Sequence, residues 1–320
     1  MQAIRQPKQR LQKEIEMYDI IVVGGGPAGM TAALYALRNG KSALVIEKAG
    51  FGGQITNSPK VENFPGSLSI SGNELADSMF SQIMEQGADI EIETVSEIKS
   101  EGAMKVVCTE EGSRFECKAV ILATGVKHRL LGLEGETDLI GEGISFCAVC
   151  DGDFYKNQTV CVAGGGNSAL QEAILLSDKC AKVIMLQDLP HFTGEERLQK
   201  VLFARENVQA FTGVKIEKLL AQGGELSGVE IVKTATGTRE SIACDGLFVA
   251  IGLIPENEPF KALAALNDYG YFDADESCTT KTPGIFVAGD CRSKKIRQVT
   301  TAAADGTIAA LAACDYINAM

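Results

Sequence analysis

The sequence predicts an α/β protein with two dinucleotide-binding signatures. Glycine-rich turns at residues 24–29 and 164–169 each follow a short apolar run and precede a helical pattern. Strand, glycine turn and helix in this order are typical of folds that bind a dinucleotide at a helix N-terminus. The chain of 320 residues is long enough for two domains, and its 34 glycines suit a protein with many tight turns.

Composition and charge exclude several classes of protein. The net charge of −12 argues against general binding to nucleic acid or to an anionic membrane surface. No apolar run approaches the roughly 20 residues that a transmembrane helix needs. Ten cysteines are too few for a disulfide scaffold, which favours a reducing, cytoplasmic location. Residues 1–16 are polar, lack the apolar stretch of a secretory signal, and are interpreted as a flexible N-terminal tail.

The first signature is complete. Residues 18–23 predict a buried parallel strand, and residues 30–39 predict a helix that ends at Gly40. A second strand at residues 42–46 leads into Glu47, whose carboxylate can accept hydrogen bonds from ribose hydroxyls. The glycines let the backbone approach a pyrophosphate, to which the helix N-terminus presents its N–H groups.

Later segments add further candidate binding elements. Residues 51–66 form a long loop without periodicity, and such loops often bind ligands. A strand ends at Gly125, where glycine allows a sharp turn beside a ligand. The last strand, at residues 281–288, leads to Asp290, whose carboxylate suits sugar-alcohol hydroxyls. A helix opening at residues 297–299 would direct its positive end at a ligand bound there.

The second signature has a different residue at the position that contacts the ribose of a bound dinucleotide. Residues 159–163 and 183–186 predict its two strands, and Gln187 occupies the position that Glu47 occupies in the first signature. A neutral amide therefore replaces an acid. A nicotinamide dinucleotide with a 2′-phosphate requires cations at this point, but the next residue is Asp188 and no arginine follows.

A Cys-x-x-Cys motif lies between the two signatures. Cys147 and Cys150 can close a small disulfide that is reduced and re-formed, and Asp151 could supply or hold the proton of a leaving thiolate. Half of a zinc site and a pair of structural cysteines are the two other interpretations. A zinc site needs a second ligand pair, yet the chain has only His128 and His191 and no second Cys-x-x-Cys. We therefore expect redox chemistry and no metal.

Taken together, the motifs resemble the low-molecular-weight flavin-dependent thioredoxin reductases. The matching motifs occur in the family's order from Met17 onward, at residues 24–29, 61–66, 147–152, 164–169, 289–290 and 297–298. The resemblance implies an α/β protein with two Rossmann-like three-layer nucleotide-binding domains, the second inserted into the first. It places an FAD-binding domain at residues 17–128 and 254–320, with the Cys-x-x-Cys domain at residues 129–253. It also implies a homodimer whose domains rotate relative to each other during turnover.

The same resemblance implies FAD as cofactor and thioredoxin as substrate. It assigns the redox pair to Cys147 and Cys150, with Asp151 as the acid, Cys150 facing the flavin and Cys147 attacking thioredoxin. The residues expected to contact FAD are Gly24, Gly26, Pro27, Ala28, Gly29, Glu47, Gly53, Gln54, Asn63, Thr124, Gly125, Gly289, Asp290, Arg297, Gln298 and Val299.

The chain departs from the pyridine-nucleotide-dependent members at residues 187–191. Those members carry a His-Arg-Arg stretch and a further Arg, and all of these cations are absent here. Similar departures occur in the ferredoxin-dependent flavin thioredoxin reductases and in related enzymes that use a reduced deazaflavin. We therefore expect ferredoxin as the electron donor. An NADH-, NADPH- or deazaflavin-dependent reductase is the alternative, and a flavin-binding redox sensor or metal-binding protein without turnover is the third interpretation.

A ferredoxin is usually acidic, so an acidic reductase needs a local basic patch to bind one. The cations that could form this patch are Lys294, Lys295 and Arg297, beside the helix that faces the flavin, and Lys127 and Arg129, near the predicted domain boundary. An ordinary solvated surface is the alternative interpretation of these residues.

Overall fold

The computed structural model describes residues 17–58 and 60–320, and it divides the chain into two compact units. The split unit comprises the described residues up to Gly53 together with Asp77–Gly125 and Glu256–Met320. The central unit comprises Gln54–Ala76 and Val126–Pro255. The predicted N-terminal tail, residues 1–16, lies outside the described residues.

Helices and strands alternate within residues 17–92 and 144–212, and runs of strands without an α-helix between them lie within residues 95–128 and 214–287. The α-helices are α1 (Pro27–Arg38), α2 (Gly72–Glu85), α3 (Ala148–Asp151), α4 (Asn167–Ser177), α5 (Glu196–Phe203) and α6 (Val299–Asn318). The strands are β1 (Met17–Val23), β2 (Ala43–Glu47), β3 (Asp89–Ile92), β4 (Val95–Glu101), β5 (Met104–Thr109), β6 (Arg114–Leu122), β7 (Lys127–His128), β8 (Ile144–Ser145), β9 (Thr159–Ala163), β10 (Lys182–Gln187), β11 (Val208–Thr212), β12 (Val214–Gln222), β13 (Glu225–Lys233), β14 (Arg239–Ala243), β15 (Gly246–Val249), β16 (Leu253–Ile254) and β17 (Ile285–Val287).

The split unit is built on a seven-stranded sheet in the order β3-β2-β1-β6-β5-β4, with β17 paired to β6. Strands β1, β2, β3, β6 and β17 are parallel, whereas β4 and β5 are antiparallel additions. Val23 lies opposite both Ile46 and Leu122, and Leu122 lies opposite Val287. Four parallel strands therefore end at the same edge, where doubly wound sheets bind their ligands.

The central strands of this sheet are buried on both faces. Ile20 and Val22 pack into one core cluster with α1 and α6, and Ile21 and Val23 pack into a second cluster on the opposite face. This two-sided burial explains why β1 has a nearly continuous apolar sequence rather than an alternating one. Polar functional groups must then lie at the strand ends.

Helices α1 and α6 approach each other closely. A Cβ placed on Gly306 of α6 would lie 2.2 Å from the carbonyl oxygen of Ala28 and 3.1 Å from the nitrogen of Ala32. Ala309, Ala310 and Ala313 continue this face of α6 and are fully buried. Small side chains therefore set the distance between the two helices.

The central unit contains a parallel sheet in the order β11-β10-β9-β15-β8 and an antiparallel sheet in the order β12-β13-β14. Strands β7 and β16 form a separate antiparallel pair. One core cluster joins the parallel strands to β12 and β13, and a second joins them to α4. The α/β class predicted from the two glycine signatures is confirmed in both units.

Residues 54–76 group with the central unit, although the sequence analysis assigned them to the FAD-binding domain. Val61 and Ile70 pair with each other through two backbone hydrogen bonds. A Cβ on Gly72 would lie 1.8 Å from the carbonyl oxygen of Ile55. The segment thus packs largely on itself, and the functional limits of the two domains remain a prediction. None of the helices in the described ranges has the length and apolar character needed to cross a membrane.

Replacing Gly306 with alanine should destabilise the fold. Alanine favours a helix over glycine by about 1 kcal/mol, but the new Cβ would push α1 away from α6. We expect a net loss of about 1–3 kcal/mol in the free energy of unfolding, measured by urea denaturation. Gly50→Ala is the control, because a Cβ there meets no atom within 4 Å. Equal losses in the two variants would contradict the packing argument.

Candidate functional site

The central unit carries a disulfide between Cys147 and Cys150, whose Cα atoms are 5.3 Å apart. Cys147 is the N-cap of α3, and its sulfur accepts a hydrogen bond from the N–H of Cys150 at 3.2 Å. When the disulfide is reduced, that N–H can stabilise a thiolate on Cys147. In the described part of the chain, no group of three or more His, Cys, Asp or Glu side chains could hold a metal ion.

Asp151 directly follows Cys150 in the sequence, and only one of its two carboxylate oxygens has a hydrogen-bond partner among the described residues. Its Oδ2 accepts a hydrogen bond of 2.6 Å from the hydroxyl of Ser145, which itself accepts one from the N–H of Cys147 at 3.1 Å. Its Oδ1 is buried and has no hydrogen-bond partner among the described residues. Burial raises the pKa of Asp151, and the Ser145 bond only partly opposes this effect. The carboxyl group is therefore suited to carrying a proton.

Ser145 is a residue that the sequence analysis missed. It lies in β8, two residues before Cys147, and its hydroxyl links the backbone of the Cys-x-x-Cys motif to the carboxylate of Asp151. A serine close to a Cys-x-x-Cys motif is too common to attract attention in a sequence. The role of Ser145 becomes visible only in the structure, where β8 pairs with β15.

In the split unit, the first glycine turn follows β1 at the sheet edge described above. The N–H of Gly25 donates a hydrogen bond of 2.6 Å to Oε2 of Glu47, and the N–H of Ala49 donates one of 3.0 Å to Oε1. These bonds fix the carboxylate beside the turn. Each oxygen keeps a second lone pair, so Glu47 can still accept hydrogen bonds from a ribose.

The same turn leaves open space for a phosphate. A Cβ on Gly26 would meet no atom within 4 Å, whereas a Cβ on Gly29 would lie 1.9 Å from the carbonyl oxygen of Gly24. Gly29 is thus required for packing, and Gly26 borders unfilled space at the N-terminus of α1. Pro27 is the first residue of that helix, and its first turn contains no acidic residue. This arrangement suits an anion.

Asp290 supplies a further sign of a ligand site in the split unit. Its Oδ1 is buried without a hydrogen-bond partner among the described residues. Burial raises the pKa of Asp290 to about 6, although the charges of Lys294 and Arg297 oppose the shift. Gly289, with φ of +81°, turns the chain after β17 and donates a hydrogen bond of 3.0 Å to Asp305. A hydroxyl-bearing ligand such as the ribityl chain of FAD would satisfy the free oxygen.

The other predicted FAD contacts divide between the two units. Thr124 and Gly125 follow β6, and the Thr124 hydroxyl donates a hydrogen bond of 2.8 Å to Asn257. Gln54 and Asn63 belong instead to the central unit. In the split unit, beyond those already described, the structure places Ala28 in α1, Gly53 after the loop from β2, Arg297 before α6, Gln298 as the N-cap of α6 and Val299 as its first residue.

The structure corrects the prediction that Lys294 belongs to a docking surface for ferredoxin. The ammonium group of Lys294 lies 2.9 Å from the carboxylate of Asp305, and its side chain is 6% exposed. Lys294 therefore holds α6 to the preceding turn and cannot form part of a docking surface. Arg297 stacks on the ring of Tyr271 at 4.4 Å, whereas Lys295 is exposed.

In the central unit, the second glycine turn is covered by the chain that follows β10. The N–H groups of Thr193 and Gly194 both donate to the carbonyl oxygen of Gly165 at 2.9 Å. The side chain of Gln187 is buried, and its amide donates a hydrogen bond of 3.2 Å to the carbonyl of His191. The predicted ribose-reading residue is therefore engaged by its own chain.

An acidic side chain lies at the helix that follows this turn. The Asn167 amide donates a hydrogen bond of 3.0 Å to the carboxylate of Glu195, and the N–H of Glu195 donates one of 2.7 Å to Asn167. Asn167 is the first residue of α4. A carboxylate is thus held beside a helix N-terminus that would otherwise attract a phosphate.

Comparison with known proteins agrees with this fold. Residues 18–306 match the family model described as pyridine nucleotide-disulphide oxidoreductase. The chain is 38% identical over 308 residues to a thioredoxin reductase of Listeria monocytogenes, with 96% of each chain covered. It is 38% identical over 307 residues to the "34.2 kDa protein in rubredoxin operon" of Clostridium pasteurianum, with 96% of this chain and 99% of that protein covered.

A solved structure gives the same result. The thioredoxin reductase from Streptococcus pyogenes is 37% identical and superimposes with a TM-score of 0.91 over 96% of this chain and 100% of that one. The class defined by the fold and the disulfide site is that of the FAD-binding pyridine nucleotide-disulphide oxidoreductases. Within that class, the chain belongs to the low-molecular-weight thioredoxin reductase family, which consists of flavoprotein disulfide reductases.

Replacing Gly26 with valine should weaken FAD binding by at least about tenfold while the protein still folds, because the new side chain fills only the open space at the turn. Gly166→Val, at the same position of the second turn, is the matched control, since a Cβ there meets only the Thr193 hydroxyl at 3.9 Å. Flavin absorbance after gel filtration and titration of the apoprotein with FAD provide the measurement. Equal flavin loss in both variants would contradict the assignment of FAD to the first turn.

Proposed function

We propose that this protein is a homodimeric, cytoplasmic thioredoxin reductase that receives electrons from reduced ferredoxin. The split unit holds FAD, and the central unit carries the Cys147–Cys150 disulfide that passes electrons to thioredoxin. The observation that carries the choice of donor is the second glycine turn, where Asp188 and Glu195 take the place of cations. Residues 17–128 and 254–320 form the proposed FAD-binding domain, and residues 129–253 form the inserted domain.

The residues of the first turn bind and orient FAD in this proposal. The backbone at Gly26 and the start of α1 receive the pyrophosphate, Glu47 accepts hydrogen bonds from the ribose, and Asp290 accepts one from the ribityl chain. Bound FAD supplies the electrons that reduce the disulfide, and a flavin can take them up one at a time. The N-terminus of α6, at Gln298, would direct its partial positive charge toward the bound cofactor.

The disulfide chemistry follows from the surroundings of the two cysteines. After reduction, Cys147 attacks the disulfide of thioredoxin, and the N–H of Cys150 stabilises the Cys147 thiolate. Cys150 then resolves the mixed disulfide, which regenerates the Cys147–Cys150 bond and releases reduced thioredoxin. Asp151 supplies the proton that the leaving thiolate requires.

The environment of the second turn disfavours NADPH. Each charge-assisted bond to a phosphate contributes roughly 1.5–3 kcal/mol, so losing two of them costs about two orders of magnitude or more in affinity. Asp188 and Glu195 add like-charge repulsion. Toward a ribose diol, Gln187 offers only a neutral amide oxygen, which is a weaker acceptor than a carboxylate, and its NH2 group is bonded to the His191 carbonyl.

A protein donor needs none of these contacts. It would have only to bring its redox centre close to the bound cofactor. The name of the Clostridium pasteurianum relative places that protein in a rubredoxin operon, which fits an association with small electron-carrier proteins. With Lys294 buried, the basic patch proposed for ferredoxin consists of Lys295 and Arg297, with Lys127 and Arg129 as further candidates.

NADH is the second candidate donor, because the second glycine turn keeps the strand–turn–helix geometry of a dinucleotide site. NADH lacks the 2′-phosphate and so escapes most of the repulsion from Asp188 and Glu195. It still meets an amide at Gln187 where a ribose diol favours an acid.

Mixing the oxidised enzyme anaerobically with each donor should show flavin bleaching by reduced ferredoxin at least about a hundred times faster than by micromolar NADPH. The reason is the loss of the phosphate contacts described above. Stopped-flow absorbance of the flavin is the measurement, and added salt should slow the ferredoxin reaction. Rapid bleaching by NADPH would overturn the ferredoxin assignment.

The variant Lys295→Glu tests the docking patch separately. It should slow reduction by ferredoxin, because it reverses an exposed charge, and it should leave reduction by dithionite unchanged. An unchanged rate with ferredoxin would exclude Lys295 from the docking surface.

Replacing either Cys147 or Cys150 with serine should abolish reduction of thioredoxin and leave a flavin that the donor still reduces. Neither variant can close the disulfide through which electrons leave the flavin. Insulin precipitation coupled to thioredoxin measures turnover, and flavin bleaching measures the first half-reaction. Cys108→Ser is the control, because Cys108 is a partly exposed free cysteine. Full activity in the Cys150 variant would rule out the dithiol mechanism.

A further inference from the structure

Helix α4 buries a carboxylate oxygen that the mechanism above does not use. The Oε2 atom of Glu172 is removed from solvent and has no hydrogen-bond partner among the described residues. Oδ1 of Asp151 is likewise buried and has no hydrogen-bond partner among the described residues. Buried polar atoms are nearly always satisfied, so two free carboxylate oxygens in one unit require an explanation.

Helix α3, which ends at Asp151, packs against α4, which carries Glu172. Gly152 directly follows Asp151, and a Cβ on it would lie 3.3 Å from Cδ2 of Leu176 in α4. Leu176 is one helical turn beyond Glu172, so both side chains lie on the α4 face that packs against the Cys-x-x-Cys segment. The negative charge of Asp151 accordingly acts on Glu172.

The other titratable groups nearby do not neutralise the two carboxyls. Tyr155 lies close enough for burial and the charge of Asp151 to raise its pKa to about 12, with smaller effects from Cys244, Glu142 and Asp245. The cation adjacent to Gly152, Lys179, is paired with Asp153 at 2.8 Å. Neither free oxygen therefore receives a hydrogen bond from a lysine or arginine of the described chain.

The carboxyl groups of Asp151 and Glu172 are both buried, and they cannot both be ionised at neutral pH. Burial, followed by the charge of Asp151, raises the pKa of Glu172 to about 8, and burial raises the pKa of Asp151 as well. Neighbouring carboxyls of this kind titrate as a pair and share one proton.

We propose that Asp151 and Glu172 form a carboxyl pair that holds one proton for thiol–disulfide exchange, with Glu172 as a positioning residue that acts through Asp151. The inference rests on the proposed reduction of thioredoxin. In the resolving step, Cys150 attacks the sulfur of Cys147 and the bond between Cys147 and thioredoxin breaks. The electron pair of that bond remains on the leaving thioredoxin sulfur.

The carboxyl pair balances the protons of this step. The single proton of the pair passes from Glu172 to Asp151, and Asp151 donates it to the leaving sulfur. The proton that Cys150 loses on attack then returns to the pair, which ends the step with the one proton with which it began. Two electrons pass from the enzyme dithiol to the thioredoxin disulfide, and no further reactant is needed.

Glu172→Gln tests the pair, because the amide keeps the shape of the side chain but cannot hold the acidic proton. Dithionite-reduced enzyme is mixed anaerobically with oxidised thioredoxin, and the rate of disulfide exchange is followed from pH 5.5 to pH 9.5. In the wild-type enzyme the rate should fall as the pH rises through about 8, the pKa of Glu172. In the variant the fall should begin at lower pH, since Asp151 alone holds its proton less well. At pH 7.5 the variant should be about tenfold slower, which is below the full effect of a general acid.

The double variant Asp151→Asn, Glu172→Gln should be no slower than Asp151→Asn alone, because Glu172 acts only through Asp151. Gln171→Ala, at the exposed neighbouring position of α4, is the control and should keep the wild-type pH profile. If Glu172→Gln changes the rate equally at every pH, Glu172 has a structural role only and the inference is overturned.

An infrared titration of the wild-type holoenzyme keeps the inference testable if the variant does not fold. One protonated carboxyl should lose its proton near pH 8, and its absence would overturn the pair. A wild-type enzyme that fails to reduce thioredoxin would overturn the proposed function itself. A wild-type enzyme that reduces thioredoxin, together with a variant of unchanged pH profile, would overturn only the carboxyl pair.

Discussion

The two-sided burial of parallel strands constrains every site in this protein. Strands β1, β6 and β17 are covered on both faces, so a polar side chain within them would lose its hydration without gaining a partner. Polar groups can appear only where the strands end, and the parallel register brings those ends to one edge. Glu47 and Asp290 lie there for that reason. The glycine turns are the other consequence, because the chain must reverse within a few residues beside its own backbone.

The buried carboxyl groups show how one type of side chain serves two purposes. Burial would raise the pKa of Asp305, but hydrogen bonds from Arg292 and Lys294 lower it below the usual range, and the residue acts as a structural anchor. Asp151 and Asp290 each keep one buried oxygen without a partner. An unsatisfied buried group costs about 1–3 kcal/mol, so the fold retains these atoms against its own stability. That cost supports the roles proposed above for Asp151 and Asp290.

Local patterns in the sequence predicted the fold, and long-range packing limited the prediction of the site. The two signatures gave the α/β class and the order of strand, turn and helix, because glycine spacing and apolar runs are local properties. Lys294 was wrongly interpreted as a surface cation, because its partner Asp305 lies eleven residues away on α6 and only the turn after β17 brings the two together. Glu172 has no sequence signal at all. Its importance depends on Gly152, whose lack of a side chain lets the Cys-x-x-Cys segment lie against α4.

The hydrogen-bonded pair formed by Asn167 and Glu195 has a consequence for any attempt to redesign the choice of donor. Adding arginines near Gln187 would supply attraction for a phosphate, but the carboxylate of Glu195 would still lie beside the N-terminus of α4. The new cations would then form ion pairs with Glu195 before any nucleotide arrived. Under the proposed ferredoxin specificity, a change to NADPH would therefore require the loss of an acid as well as the gain of a base. At least two coupled substitutions would then separate the two donor specificities.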